Sequence, residues 1–178
     1  VRDGNDAWIV NEDPQPDASD FVLRHLAGGT MPDAHFGRNG ATAFTLGTSN
    51  DAPASVRVDA ARRTWMVGAS LAGDQPQPVI ARFQADGNAD VHWGVQGKVQ
   101  LTPAGVAIKP NDLLPRADGS GLVAGEVTGL AVPRAAVFHL TANGSLDRNF
   151  GTAGVWQRPD DGDSSTATSL DASSDGLA

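Results

Sequence analysis

The chain repeats itself with a period of 57 residues. Phe36, Trp93 and Phe150 stand 57 apart, and so do Asp33, Asp90 and Asp147. Two glycine registers keep the same step: Gly37, Gly94, Gly151 and Gly40, Gly97, Gly154. The best-kept stretch is NGSLDRNFGTAG, Asn143 to Gly154. DGNADVHWGVQG (Asp86 to Gly97) and GTMPDAHFGRNG (Gly29 to Gly40) are its degenerate copies. A fixed period of this length restricts the chain to folds that stack one supersecondary unit.

Within each period, short apolar runs alternate with turn residues. Phe21 to Leu26, Pro78 to Phe83 and Ala135 to Leu140 read as one strand of the unit. The strand before it ends at Val10 in the first copy and Val67 in the second, with Trp8, Trp65 and Leu122 in register. Gly40 to Leu46, Gly97 to Thr102 and Gly154 to Arg158 read as the strand after it. Ala54 to Asp59 and Asn111 to Arg116 each open a new unit, and Pro115 predicts an edge or a bulge there. Segments 11–20, 68–77 and 125–134 differ between copies, as solvent-facing loops do.

With 21 glycines and 11 prolines punctuating these runs, the expected class is all-β. One four-stranded sheet cannot bury both its faces, and stacking such sheets radially solves that problem. The expectation is therefore one β-propeller-like domain over 1–178 with three four-stranded blades. The repeats run 1–57, 58–114 and 115–171, and 172–178 starts a further one.

In the shared motif, Asp33, Asp90 and Asp147 are suited to capping the turn that follows. Phe36, Trp93 and Phe150 are candidate plugs between neighbouring sheets. The paired glycines suit positive φ or close backbone approach.

The two ends complement each other. The chain opens in front of a second strand, and Ala167 to Ser173 restarts a first strand. Open edges invite pairing, and propellers carry four to eight blades. The expectation is strand exchange between two chains to close a six-bladed ring, or an open exchange that builds a filament. A piece of a longer array is the third option.

A net charge of -8 repels phosphate backbones, so no nucleic-acid partner is expected. There is no cysteine chemistry, and no apolar run of membrane-spanning length occurs. The chain opens at Val1, which leaves a removed targeting segment open.

Several residue sets carry candidate chemistry. His25, Arg82 and His139 share one register, and His35, His92 and Asn149 share another. A ring could gather them into a metal site. With no HExxH present, positions inherited with the repeat are the simpler reading. Asp86, Asn88 and Asp90 alternate as calcium-loop oxygens do, but Gly97 stands at the twelfth position, so a turn cap is favoured. Asp160, Asp161 and Asp163 read as a solvated loop. Trp8, Trp65, Trp93 and Trp156 could stack on sugars, but packing accounts for them more simply. No G-x-S-x-G elbow occurs, and no catalytic, cofactor or metal residue is assigned.

HLTANGSLDRNFGTAGV (His139 to Val155) resembles the delta-60 repeat of bacterial proteins, as do Val79 to Val99 and, more loosely, Val22 to Thr42. The other half of that repeat is echoed by DGSGLVAG (Asp118 to Gly125) and ARRTWMVG (Ala61 to Gly68). The resemblance implies a propeller-like fold and a secreted or surface setting in bacteria, with no common activity. His25 and His139 depart from the family's usual arginine, which Arg82 keeps, and the family's lysine after the DG pair is absent.

The expected function is a non-enzymatic, extracytoplasmic module that binds a surface protein or assembles with itself. The alternative is a carbohydrate-binding, lectin-like propeller with glycan sites near loops 11–20, 68–77 and 125–134. The third reading is a polysaccharide-active enzyme working in a central channel.

Overall fold

The structure is a computed structural model that describes residues 2–14, 19–45, 52–70, 77–101 and 107–171. The first sheet holds β1 (Arg2–Asp3), β2 (Asp6–Pro14), β3 (Ser19–Ala27), β4 (Met31–Pro32) and β5 (Ala41–Phe44). The second holds β6 (Ala52–Val58), β7 (Thr64–Ser70), β8 (Gln77–Phe83) and β9 (Lys98–Gln100). The third holds β10 (Ala107–Pro115), β11 (Gly121–Thr128), β12 (Arg134–Leu140) and β13 (Val155–Gln157). Every pairing is antiparallel, and each sheet follows chain order. In the first sheet, β4 and β5 lie in line along the same edge of β3 and share the fourth place. The counterpart of β4 in the other sheets is a single bridge, Phe83 to Ala89 and Leu140 to Leu146. The fold is all-β and propeller-like, with three sheets in the four-stranded pattern.

Burial follows from the sheets' positions in the stack. β7 is buried on both faces, because the second sheet lies between the other two. β12 alternates instead, with Ala136, Phe138 and Leu140 inward, which is the pattern of a strand covered on one face. Two cores result. Trp8, Phe21, Leu23, Phe36, Val56 and Met66 fill the first inter-sheet space. Trp65, Ile80, Trp93, Leu113, Phe138 and Leu140 belong to the second. Each fully buried large side chain contributes roughly 1.5–3 kcal/mol, which short strands need if they are to outweigh their ordering entropy.

The sheets also interlock through their backbones. Gly37 N–H donates to the Asp86 carbonyl at 2.7 Å, and one repeat later Gly94 N–H donates to the Asn143 carbonyl at 3.2 Å. Each time, the next sheet's turn glycine lies on the previous sheet's aromatic ring. A Cβ on Gly87 would meet Phe36 Cδ1 at 3.0 Å, and one on Gly144 would meet Trp93 Cε2 at 2.9 Å. Lys98 adds a side-chain tie, donating to the Thr45 carbonyl and lying over the Phe44 ring.

Two local expectations need correction, and a third is met in one of its alternatives. The hairpins reach further into the variable loops than their polar sequences suggest: β2 and β3 stay paired to Pro14 and Ser19, and β7 and β8 to Ser70 and Gln77. The tips 15–18 and 71–76 lie outside the described residues. Pro115 meets the edge expectation, on the last rung of the edge strand β10, while the bulge of that strand falls between Pro110 and Asp112. β6 bulges at the matching place, between Pro53 and Ser55. A proline cannot donate to the ladder, so the extra residue is accommodated beside it. Finally, 160–171 forms no strand. It runs along the third sheet, where Ala167 N–H donates to the Gly125 carbonyl and Leu170 N–H to Asp112 Oδ2. Small polar residues and a carboxylate acceptor hold it there in place of a ladder. Residues 172–178, which include the end of the expected strand Ala167 to Ser173 and the start of a further repeat, lie outside the described residues.

The interlock predicts a graded response to two glycine substitutions. Gly119 and Gly144 have similar backbones, with φ of +83° and +87°, but a Cβ on Gly119 meets nothing closer than 3.5 Å. Gly119→Ala should cost about 1–2 kcal/mol through φ alone. Gly144→Ala should cost about 1–3 kcal/mol beyond that, because Trp93 and Val99 must move. Urea unfolding of both variants measures the difference.

Candidate functional site

Each sheet presents one repeated side-chain constellation. The third position of the unit puts a base at 25, 82 and 139, and the motif puts an aspartate eight residues later. The backbone brings the two together: the N–H of Asp33, Asp90 and Asp147 donates to the carbonyl of His25, Arg82 and His139 respectively. The side chains then pair. His25 Nδ1 lies 2.9 Å from Asp33 Oδ2, Arg82 Nε 2.8 Å from Asp90 Oδ2, and His139 Nδ1 2.8 Å from Asp147 Oδ2.

The surroundings differ from sheet to sheet. Arg82 is 7% exposed, and its guanidinium lies 5.0 Å from the Trp65 ring and 4.9 Å from the Trp93 ring. Burial lowers its pKa against the opposing pull of Asp90, but a guanidinium stays protonated regardless. His25 stacks on Trp8 at 4.2 Å and meets Phe36 edge-on. Its Nε2 is 3.4 Å from Asp6, which also takes Arg62 at 3.1 Å. His139 has Phe150 on one side, Leu122 takes the tryptophan's place in the register, and its Nε2 is buried without a hydrogen-bond partner.

Asp33 and Asp147 do two jobs. Their Oδ1 atoms accept the backbone N–H of His35 and Asn149, which is the turn cap read from the sequence. Their Oδ2 atoms hold the imidazoles. The amide of His35, with the His25 imidazole behind it, keeps the Asp33 carboxyl below the ordinary range against a smaller effect of burial. The amide of Asn149 and then His139 do the same for Asp147. Asp90 is 6% exposed, and its carboxylate is bound to Arg82.

The remaining candidates separate. His35 is 97% exposed by side chain, His92 is exposed, and Asn149 is exposed. Among the described residues, no group of three His, Asp or Glu side chains is placed to hold a metal ion. Asp86 and Asn88 bond to each other at the turn tip, away from the Asp90 pairing. Asp160 and Asp161 are exposed and meet Arg134 and Arg158, so that loop is pinned by ion pairs as well as solvated. Trp8, Trp65 and Trp93 are 3% exposed or less, which leaves Trp156, at 48%, as the accessible tryptophan of the four.

Trp156 occupies a telling position. In its register, Thr42 donates to the carbonyl of Gly87, and Val99 packs under Gly144. Both contact the following sheet. Trp156, with the half-buried Phe150, therefore forms a third copy of the inter-sheet contact surface, open to solvent.

Asp112 is the residue that sequence reasoning missed. It is 3% exposed and accepts from Ser55 Oγ at 2.6 Å, Arg57 Nη2 at 2.7 Å and Leu170 N–H at 3.0 Å. Its register partner is Ser55, so the 57-residue step itself was the available signal.

The carboxyl shifts set a direction for stability against pH. A carboxyl held below its ordinary value stabilises the fold fully above about pH 4, and loses that contribution as pH falls through the folded value. The melting temperature should therefore drop below about pH 4. The Asp33→Asn/Asp147→Asn variant should melt lower than wild type at pH 7 and lose less between pH 7 and pH 3. Calorimetry at the two pH values checks this.

Residues 116–150 match the family model described as a domain of unknown function (DUF5122) beta-propeller. No curated protein and no solved structure matches the chain. Among the described residues, no helix is long and apolar enough to cross a membrane. The matched segment runs from the turn of the first hairpin of the third sheet into the best-kept turn motif, as far as Phe150, so the chain carries a β-propeller sequence where its repeat is clearest.

Proposed function

We propose that this chain is a non-enzymatic, extracytoplasmic propeller module that works by binding another sheet of its own kind, carried by a second copy or by a partner protein. The observation that carries this reading is the exposed Trp156 beside the half-buried Phe150. The same two register positions, filled by Phe36 with Thr42 and by Trp93 with Val99, dock the following sheet twice within the chain. A large aromatic at an open copy of a proven contact surface is what a docking anchor requires. The occupant would present a glycine turn, as Gly87 and Gly144 do. The extracytoplasmic setting rests on the resemblance to bacterial surface repeats. The base of each repeated constellation is held by its aspartate within its own sheet, Arg82 by Asp90, His25 by Asp33 and His139 by Asp147, which favours a structural role over a catalytic one.

Light scattering across a dilution series tests self-assembly. Wild type is expected to exceed monomer mass at the higher concentrations, and Trp156→Glu is expected to remain monomeric with an unchanged melting temperature. A wild-type monomer at every concentration would overturn self-assembly.

A further inference from the structure

The junctions between sheets leave two grooves that are related by the repeat. The groove between the first and second sheets has a volume of about 580 Å³, and that between the second and third about 730 Å³. Val22 and Val79, Gly37 and Gly94, and Thr42 and Val99 line the two in matching places. Among the described residues, neither lining contains a carboxylate, and the nearby Asp86 is bonded to Asn88. That is notable in a chain with 21 acidic residues against 13 lysines and arginines. Cations line both grooves, and they come from different registers: Arg24 and Arg38 in the first, Lys98 in the second.

The first groove is the better built. Arg24 faces Ala41 across the β3–β5 ladder, and Arg38 N–H donates to the Ala41 carbonyl at 2.7 Å. The two arginines thus flank one small residue, whose counterparts are Lys98 and Val155. Arg57, Arg62, Arg63, Arg82 and Arg134 each sit on a carboxylate. Among the described residues, Arg24 and Arg38 have no ion-pair or side-chain hydrogen-bond partner, and both are exposed. Asn88 and Thr42 add oxygen acceptors to the same lining, their amide and hydroxyl donating to Asp86 and to the Gly87 carbonyl.

We propose that this groove binds an acidic saccharide, with Arg24 and Arg38 taking a carboxylate or sulfate and Asn88 hydrogen-bonding the sugar hydroxyls. Two guanidinium groups lining one open cleft suit a planar or tetrahedral oxyanion. The groove offers no large apolar pocket for peptide side chains. The cationic groove that follows it would take the next acidic unit of a linear chain. The site lies away from the Trp156 surface, so it stands or falls separately from assembly.

Calorimetric titration with oligogalacturonate, sulfated dextran oligomer, neutral dextran and polyglutamate tests the proposal. Oligogalacturonate or the sulfated oligomer should bind at low salt and weaken as salt rises. The stronger of the two identifies the oxyanion. Neutral dextran should not bind, and polyglutamate should bind at least about tenfold more weakly. Arg24→Ala/Arg38→Ala should lose at least about tenfold in affinity with an unchanged melting temperature. Arg24→Lys/Arg38→Lys should recover part of that loss. Absence of binding by both acidic oligosaccharides, equal binding by the alanine variant, or equal binding of polyglutamate would overturn it.

Discussion

An aromatic ring lying against the backbone of the next repeat's turn holds this architecture together. Phe36 under Gly87 and Trp93 under Gly144 bring two sheets so close that a single Cβ would not fit. The contact supplies burial, since both rings are 1% exposed or less. It also supplies register, since an inter-sheet backbone hydrogen bond forms beside each ring. A turn held this closely cannot slide along its neighbour, so the spacing of sheets follows from the spacing of ring and glycine in the chain. The burial pattern of every strand depends on that stacking, including the two-sided burial of β7.

Around the ring, the repeat keeps geometry constant and varies chemistry. A base eight residues before an aspartate is held by the same backbone bond in all three sheets. In the second sheet, an arginine between two indoles meets a nearly buried aspartate. Removing a charge from water is expensive unless its partner is already in place, and here the turn delivers the partner. In the first and third sheets, a histidine fills the site. One imidazole nitrogen meets the aspartate in those pairs, where in the second sheet two guanidinium nitrogens do. The flanking ring changes in step, from Trp8 against His25 to Leu122 in the third copy.

The same economy shapes the surface. Positions that touch the next sheet carry residues fitted to that contact, and the exposed copy carries Trp156. The grooves left between sheets inherit their outline from the repeat, but take their charge from positions where the copies differ, such as Arg24 against Ala81. Conserved geometry with divergent lining is how a repeat fold acquires separate sites without losing its stack.

The 57-residue step by itself determined the unit, the all-β class, the turn motif and the role of Asp33 and Asp147 as turn caps. These features are local: a turn residue acts within a few positions of itself, and a period can be counted. What lay beyond it was anything made between repeats. The base and the aspartate were both visible as registers, but their pairing needed the hairpin that places them side by side. Asp112 joins Ser55, Arg57 and Leu170, residues more than fifty positions away on either side, and no local pattern announces such a group. Residues 167–173 read as a strand by alignment, and the described part, 167–171, runs along the third sheet without forming a ladder. Alternation allows a strand, but only the edge that a segment meets decides whether a ladder forms, and that edge belongs to the tertiary structure.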